Sequence, residues 1–352
     1  NITVNCLHPG VVGTAFGQII FGPISDKFGR KPIIIFGLGV YVFAAIFASF
    51  SSNIWELSFI RFIQGIGAAS GRIIGVAIVR DIYKKERAAR LLSNIWTVST
   101  IVPIINPFIG SILILNFTWH SVFFFMAIFS GFMILLTVFF FTETNKEKDP
   151  NALNPKQLLE NFTKISINKV FLIYATIGSI TMSSLYGFLA ISSDLLITQL
   201  QQTPATFAWQ FAIVGTGSLV GSFISARLSI KYGINGVIKL GLTITAFASV
   251  SFLILHIFGI FTAAAIVAPF TFQRIGEAMI SAQSTAGAIT PFPRKAGAAS
   301  SLLGFMRQLT GASVAILVGY FSDGTTLPMA ITCIFAGLTP AIIYLYFRPK
   351  IS

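Results

Sequence analysis

About eleven apolar stretches, most close to twenty residues long and separated by short polar loops, run the length of this chain. They lie near residues 4–24, 33–50, 57–79, 91–115, 121–141, 170–192, 207–230, 237–258, 261–282, 297–321 and 329–347. An α-helix rises 1.5 Å per residue, so about twenty apolar residues cross a hydrocarbon core of roughly 30 Å. No water-soluble core accommodates so many such runs, because a soluble shell needs charge, and charged residues are only 10% of the chain against 55% hydrophobic. A mean hydropathy of +0.83 says the same. The expected fold class is therefore an all-α polytopic membrane protein, in which each helix satisfies its own backbone polar groups.

The formal charge of +13 could point to nucleic acid, but the positions of the cations point elsewhere. Lys and Arg gather in alternate loops: Lys27, Arg30 and Lys31; Arg80, Lys84, Lys85, Arg87 and Arg90; Lys146, Lys148, Lys156, Lys164 and Lys169; Arg227, Lys231 and Lys239; Arg294 and Lys295; Arg348 and Lys350. The loops between them hold no Lys or Arg, although they hold Glu56, Asp194 and Asp323. By the positive-inside rule the first set faces the cytoplasm, and the C-terminus with it. The net charge is a topology signal. The expected location is a bacterial inner membrane and the expected partner phase is the lipid bilayer, with no nucleic-acid partner.

The longest polar loop, 143–169, divides the chain into an N-terminal helical bundle (1–142) and a C-terminal bundle (170–352), with a cytoplasmic linker between them. Five spans precede the linker and six follow it. The sequence reading places the missing helix at the N-terminus. Cys6 and Cys333 lie far apart in apolar runs and suggest neither disulfide nor metal, and His8, His120 and His256 are scattered. No cofactor is expected. The stretch Val4-Asn5-Cys-Leu-His8-Pro9-Gly10-Val-Val-Gly-Thr14 fits a short-chain dehydrogenase pattern, but no Gly-rich nucleotide loop or α/β alternation accompanies it.

Two segments carry the functional reading. The first cytoplasmic loop, Gly22-Pro-Ile-Ser-Asp26-Lys-Phe-Gly29-Arg30-Lys31-Pro32, is a tight turn between helices. Gly29 permits the bend, Pro32 opens the next helix, and Asp26 sits among cations. The next-but-one helix holds Arg61-Phe-Ile-Gln64-Gly65-Ile-Gly67-Ala-Ala-Ser-Gly71-Arg72. Gly67, Gly71 and Gly75 make a small-residue ridge, and Arg61, Gln64, Ala68 and Arg72 share another face. An Arg within the membrane is costly, so these side chains either face a wet cavity or tie down carbonyls inside the bundle. Arg61, Arg72, Arg274 and Arg307 are the basic residues that fall within spans, and Glu277 is the acid well inside one. Glu277 invites two readings: a proton-coupling acid, or one half of an ion pair with Arg274 a turn away.

The first loop resembles the signature G-x-x-x-D-x-x-G-R-K/R of the major facilitator superfamily, and the Arg61–Gly65 segment resembles its R-x-x-Q-G motif. Ala77-Ile-Val-Arg80-Asp81-Ile-Tyr83, Pro103-Ile-Ile-Asn106-Pro107-Phe-Ile-Gly110 and Pro291-Phe-Pro293-Arg-Lys-Ala296-Gly297-Ala-Ala-Ser-Ser-Leu-Leu-Gly304 are similar to segments of its bicyclomycin-resistance (Bcr/CflA) branch. The resemblance implies two pseudo-symmetric helical bundles and a secondary transporter that exports drugs or amphipathic metabolites. It implies a gating loop at Gly22, Asp26, Gly29, Arg30 and Lys31, and helix bending at Pro103, Pro107 and Gly110. Proton coupling or cavity roles fall to Arg61, Gln64, Arg72, Arg274, Glu277 and Arg307. Here Arg72 lies one turn before Val76, where relatives carry Arg; Arg307 replaces a Gln; and Arg274 and Glu277 stand at usually apolar places. An inner latch is expected from Asp26, Arg80, Asp81 and the helix start at Gly297, whose unpaired N–H groups attract a carboxylate. The expected partners are a small-molecule substrate and protons, and the expected state is a monomer. The alternative is an inactive transporter remnant or non-transporting membrane protein. No acid–base or metal cluster supports an enzyme.

Overall fold

The computed structural model describes residues 2–83, 85–145, 148–292 and 295–347. Among these, every regular element is helical. The helices are α1 (Ile2–Phe28), α2 (Arg30–Ser49), α3 (Ile54–Ile82), α4 (Lys85–Asn116), α5 (His120–Phe140), α6 (Pro155–Ser166), α7 (Lys169–Ser193), α8 (Pro204–Ile257), α9 (Ala263–Ile289), α10 (Ala296–Tyr320) and α11 (Leu327–Phe347). A π-helical turn, Asp194–Gln199, extends α7.

The expected spans at 207–230 and 237–258 are the two arms of α8, which meet at Gly233 with φ of 63° and ψ of −178°. The π turn, together with α2, α3, α5, α7, α8, α10 and α11, makes seven described segments long and apolar enough to cross a membrane by length and composition. Helices α1, α4 and α9, of 27, 32 and 27 residues, are as long and pack among them. Polar residues start several helices: Asn53, Asn168, Thr203 and Thr262 each accept a backbone N–H three residues on. The lipid-type exterior is apolar, with Phe36, Phe43, Phe47 and Phe50 exposed along one face of α2. The interior holds small and hydroxyl side chains, including Ser179, Thr181, Ser183 and Ser184 of α7.

Two helical bundles result. Helices α1, α2, α3 and α5 pack together, and α4 touches both α3 and α5. In the other bundle α9 and α11 pack on the two arms of α8, and α7 packs on α9, α10 and α11. The bundles meet through α1 against α10 and α4 against α8.

A repeat relates them. Gly37 and Gly67 approach so closely that a Cβ on either would meet the other's carbonyl oxygen, and Gly241 and Gly276 do the same between α8 and α9. Gly13 and Gly17 of α1 lie against the Phe62 and Ile66 carbonyls of α3; Gly217 and Gly221 of α8 lie against those of Thr271 and Ile275 in α9. Gly13, Gly17, Gly29 and Gly37 stand at one constant separation from Gly217, Gly221, Gly233 and Gly241. The tight turn at Gly29 (φ 110°) thus has its counterpart at Gly233 (φ 63°). Close helix contact in lipid needs small residues at the crossing, and the two halves keep them at matching places.

Candidate functional site

The loop between α1 and α2 is held by charge. The Arg30 guanidinium donates from Nη1 to Asp26 Oδ1 at 2.5 Å and to Ser25 Oγ at 2.7 Å, and from Nε to Asp81 Oδ2 at 2.9 Å. Arg30 therefore joins the end of α1, the start of α2 and the end of α3. Glu143, which follows α5, accepts the backbone N–H groups of Arg30 at 2.9 Å and Lys31 at 3.0 Å. It caps α2 from the far end of the bundle's sequence. Partial burial disfavours the Glu143 charge. The backbone N–H groups of Asn145, Arg30, Lys31 and Thr144 outweigh that and hold its carboxyl below the usual value of 4.5. The linker docks on the same loop: Asn145 Nδ2 and the Asp149 N–H both donate to the Asp26 carbonyl, at 3.0 and 3.2 Å.

Asp26's described partner is Arg30, within its own bundle. The side chain of Arg80 lies outside the described residues, as do Lys84, Arg294, Arg348 and Lys350. Gly297 lines the same cavity as Asp26, Arg30 and Asp81. That cavity, of about 370 Å³, opens between α1, α3 and α10 at the loop end and is roofed by linker residues Asn161 and Phe162. Lys295 Nζ donates to Asn161 Oδ1 at 2.6 Å, fastening α6 to the start of α10.

At the opposite end α4 and α8 touch. The ring of Phe108 in α4 meets Trp209 of α8 edge-on at 5.0 Å, and Ile104 fills the space a side chain at Gly215 would need. Pro103 and Pro107 lie inside the continuous helix α4 next to these contacts. Midway, Phe16 of α1 meets Phe305 of α10 at 6.0 Å.

The charged residues within spans fall into two groups. Arg61 and Gln64 belong to one: Arg61 Nη1 donates to Gln64 Oε1 at 2.6 Å, and the guanidinium lies 5.8 Å from the Phe123 ring, inside the N-terminal bundle. Arg72 is three turns further along α3 and belongs to the other, which lies between the bundles. There Arg274 and Glu277 form an ion pair on α9, with Glu277 only 4% exposed. Arg307 of α10 donates to the Ser281 carbonyl at 3.1 Å and to Ser284 Oγ at 2.9 Å. Tyr186 of α7 hydrogen-bonds Gln308, and its phenol is within electrostatic reach of Arg72, Glu277 and Arg274. The structure thus puts Arg72, which lines the cavity, within electrostatic reach of Tyr186 and Arg307, with the buried Arg274–Glu277 pair beside them, and leaves Arg61 and Gln64 apart.

Sequence reasoning missed Glu143, Tyr186 and Gln308. An acid directly after the fifth span was visible as a signal for Glu143; nothing local marks Tyr186.

A model of the Major Facilitator Superfamily matches residues 10–315. The chain belongs to this superfamily. It is a multi-pass membrane transporter for small molecules and not an enzyme. Major facilitator relatives include a bicyclomycin resistance protein homolog of Haemophilus influenzae, 29% identical over 91% of this chain and 80% of that protein. The multidrug resistance protein MdtL of Shewanella oneidensis is 26% identical over 97% of this chain and 85% of its own length. These agree with the branch read from the sequence motifs. Two solved major facilitator structures share the fold at 14% identity. One is the xylose transporter XylE of E. coli in a partially occluded inward-open conformation, with a TM-score of 0.74 over 99% of this chain and 87% of that one. The other is a D-xylose-proton symporter, with 0.78 over 100% and 89%.

Proposed function

We propose that this transporter exports drugs or small amphipathic metabolites across a bacterial inner membrane by alternating access, coupled to protons through Glu277. The observation that carries the reading is the interface between the bundles. At one end Phe108 of α4 meets Trp209 of α8, the other end opens as a cavity, and Arg72 on the cavity wall lies within electrostatic reach of Arg307. Two bundles that rock about such a centre expose it to each side in turn. The names of the relatives, bicyclomycin and multidrug resistance proteins, support export.

The open end is assigned to the cytoplasm from the basic loops, which puts the linker and the C-terminus inside. Asp26, Arg80, Asp81 and Gly297 form the inner latch in this reading. The Asp26 side chain is 48% exposed, so its pair with Arg30 is worth less than about 1 kcal/mol to stability. In this reading the chain works as a monomer.

Glu277 faces Arg274 on its own helix, Arg307 on α10, and Ser184 and Tyr186 on α7. Protonating it frees Arg274 and rearranges the centre. The test compares Glu277→Gln with Arg274→Gln in proteoliposomes under an imposed pH gradient. Both variants are expected to accumulate and fold, and only Glu277→Gln is expected to lose the pH dependence of export. Unchanged pH dependence in Glu277→Gln removes its coupling role. Failure of both variants to accumulate identifies a structural pair instead, because breaking a buried pair from one side costs about 3–5 kcal/mol.

A further inference from the structure

Among the described residues the charges at the centre between the bundles are three guanidiniums, Arg72, Arg274 and Arg307, against one carboxylate, Glu277. Arg274 and Glu277 hold each other on α9. Arg307 comes from the C-terminal bundle and Arg72 from the N-terminal one, and they lie within electrostatic reach across the interface. Like charges facing each other in a low-dielectric site repel, so bringing them together needs a countercharge.

The hydrogen bonding of Arg307 is incomplete. One of its terminal nitrogens is held by Ser281 and Ser284, but Nε has no partner although the residue is only 9% exposed. Gln18 of α1, which lines the cavity beside Arg72, likewise has a buried Nε2 without a partner. A buried donor left unmade costs about 1–3 kcal/mol, and more when it is charged. Gln18 stands against Gly304, with which it lines the cavity, and Arg307 follows Gly304 by about one helical turn on α10.

We infer that this centre binds the anionic group of the transported molecule, a carboxylate, sulfonate or phosphate on an amphipathic body, clamped between Arg307 of one bundle and Arg72 of the other. The inference rests on the export reading above and narrows its substrate class. A planar guanidinium presents paired donors that match two oxygens of such a group. Phe16 and Phe305, which meet at the same crossing of α1 and α10, supply an apolar wall for the rest of the molecule. Binding between two bundles joins residues that move relative to one another, so occupancy is felt by the rocking step. The inside-negative membrane potential pushes such a group outward, the direction export requires.

The test uses three aromatic probes of one size with fixed charge: 2-naphthalenesulfonate, the neutral 2-naphthalenesulfonamide, and 2-naphthyltrimethylammonium. Equilibrium binding of each is measured on the purified full chain in lipid nanodiscs, with gradient-driven movement measured separately in proteoliposomes. The sulfonate is expected to bind about tenfold or more tightly than the other two, the gain of one charge-assisted hydrogen-bonded pair. Arg307→Gln and, independently, Arg72→Gln are each expected to shrink that preference to less than about twofold, with Arg307→Lys retaining part of it. Each variant is first shown to be monodisperse, and Arg72, which is exposed to the cavity, serves if the Arg307 site cannot tolerate change. An equal or greater affinity for the ammonium, or a sulfonate preference that survives both Gln variants, overturns the assignment. So does inorganic sulfate binding as tightly as the naphthalenesulfonate, which would make the ligand a bare anion. Movement of the ammonium without sulfonate preference keeps export and discards the anion site. Selective sulfonate binding without gradient-driven movement keeps the site and discards export.

Discussion

Glu143 shows how one side chain fixes a junction. The start of α2 has backbone N–H groups with no partner in their own helix, and the Gly29 turn brings them to the surface of the α1–α3 end. Glu143 covers two of them from a position more than one hundred residues away. Replacing it with Gln removes the charge while keeping the shape. The expected cost at neutral pH is about 1 kcal/mol, typical of a helix N-cap. The folded-state carboxyl is depressed below 4.5, so its contribution is present above that value and is lost as pH falls through the folded-state value. Melting curves of wild type and Glu143→Gln should therefore differ near pH 7 and converge as the pH falls through the depressed folded-state value. A difference that persists unchanged in acid contradicts the charge-based account.

At the scale of elements, the two bundles use the same device: glycine pairs that let α2 reach α3 and the second arm of α8 reach α9. A valine at Gly67 or at Gly276 must displace backbone, since a Cβ there lies 2.7 or 2.6 Å from a facing carbonyl oxygen. Overpacking of this kind costs about 1–3 kcal/mol. Gly67→Val and Gly276→Val should each lower the melting temperature of the purified protein by a similar amount. Valine at Gly39 or Gly71, where a Cβ meets nothing within 4 Å, should have little effect. A large difference between the first two variants would break the equivalence of the halves. Much of this level was legible in the sequence. Hydropathy located the long helices to within a few residues at most ends, because lipid demands a fixed apolar length, and the turn at Gly233 falls in the polar gap between two expected spans. The helix α6 within the linker was not foreseen, because it is amphipathic and short and carries no apolar run. The resemblance implied two pseudo-symmetric bundles, but the matching glycines that build them were not read, since they are few and the side chains around them have diverged. Tyr174 and Tyr344, which bond Asn235 in the second bundle, stand where the first bundle uses Asp26, Arg30 and Glu143. The charged centre was legible only as single residues in single spans; its assembly depends on helices brought together by the crossing of α1 with α10.

At the scale of the molecule, the account requires the two ends of the interface to open in alternation. Phe108 meets Trp209 at one end, and the cavity beneath α6 leaves the other accessible. The aromatic contact is too weak to lock one state, so both states should be populated. Spin labels can follow the two ends together. One pair, at Phe28 and Thr290, spans the loop end; a second, at Asn116 and Ala205, spans the Trp209 end. Distance distributions are measured by pulsed electron resonance in lipid nanodiscs, for the otherwise wild-type chain and for Asp26→Asn, with and without bound 2-naphthalenesulfonate. Alternating access predicts two populations at each end, anticorrelated: conditions that lengthen the 28–290 distance shorten the 116–205 distance, and Asp26→Asn raises the fraction open at the loop end. Two distances that change independently, or that stay single and fixed under every condition, would contradict it.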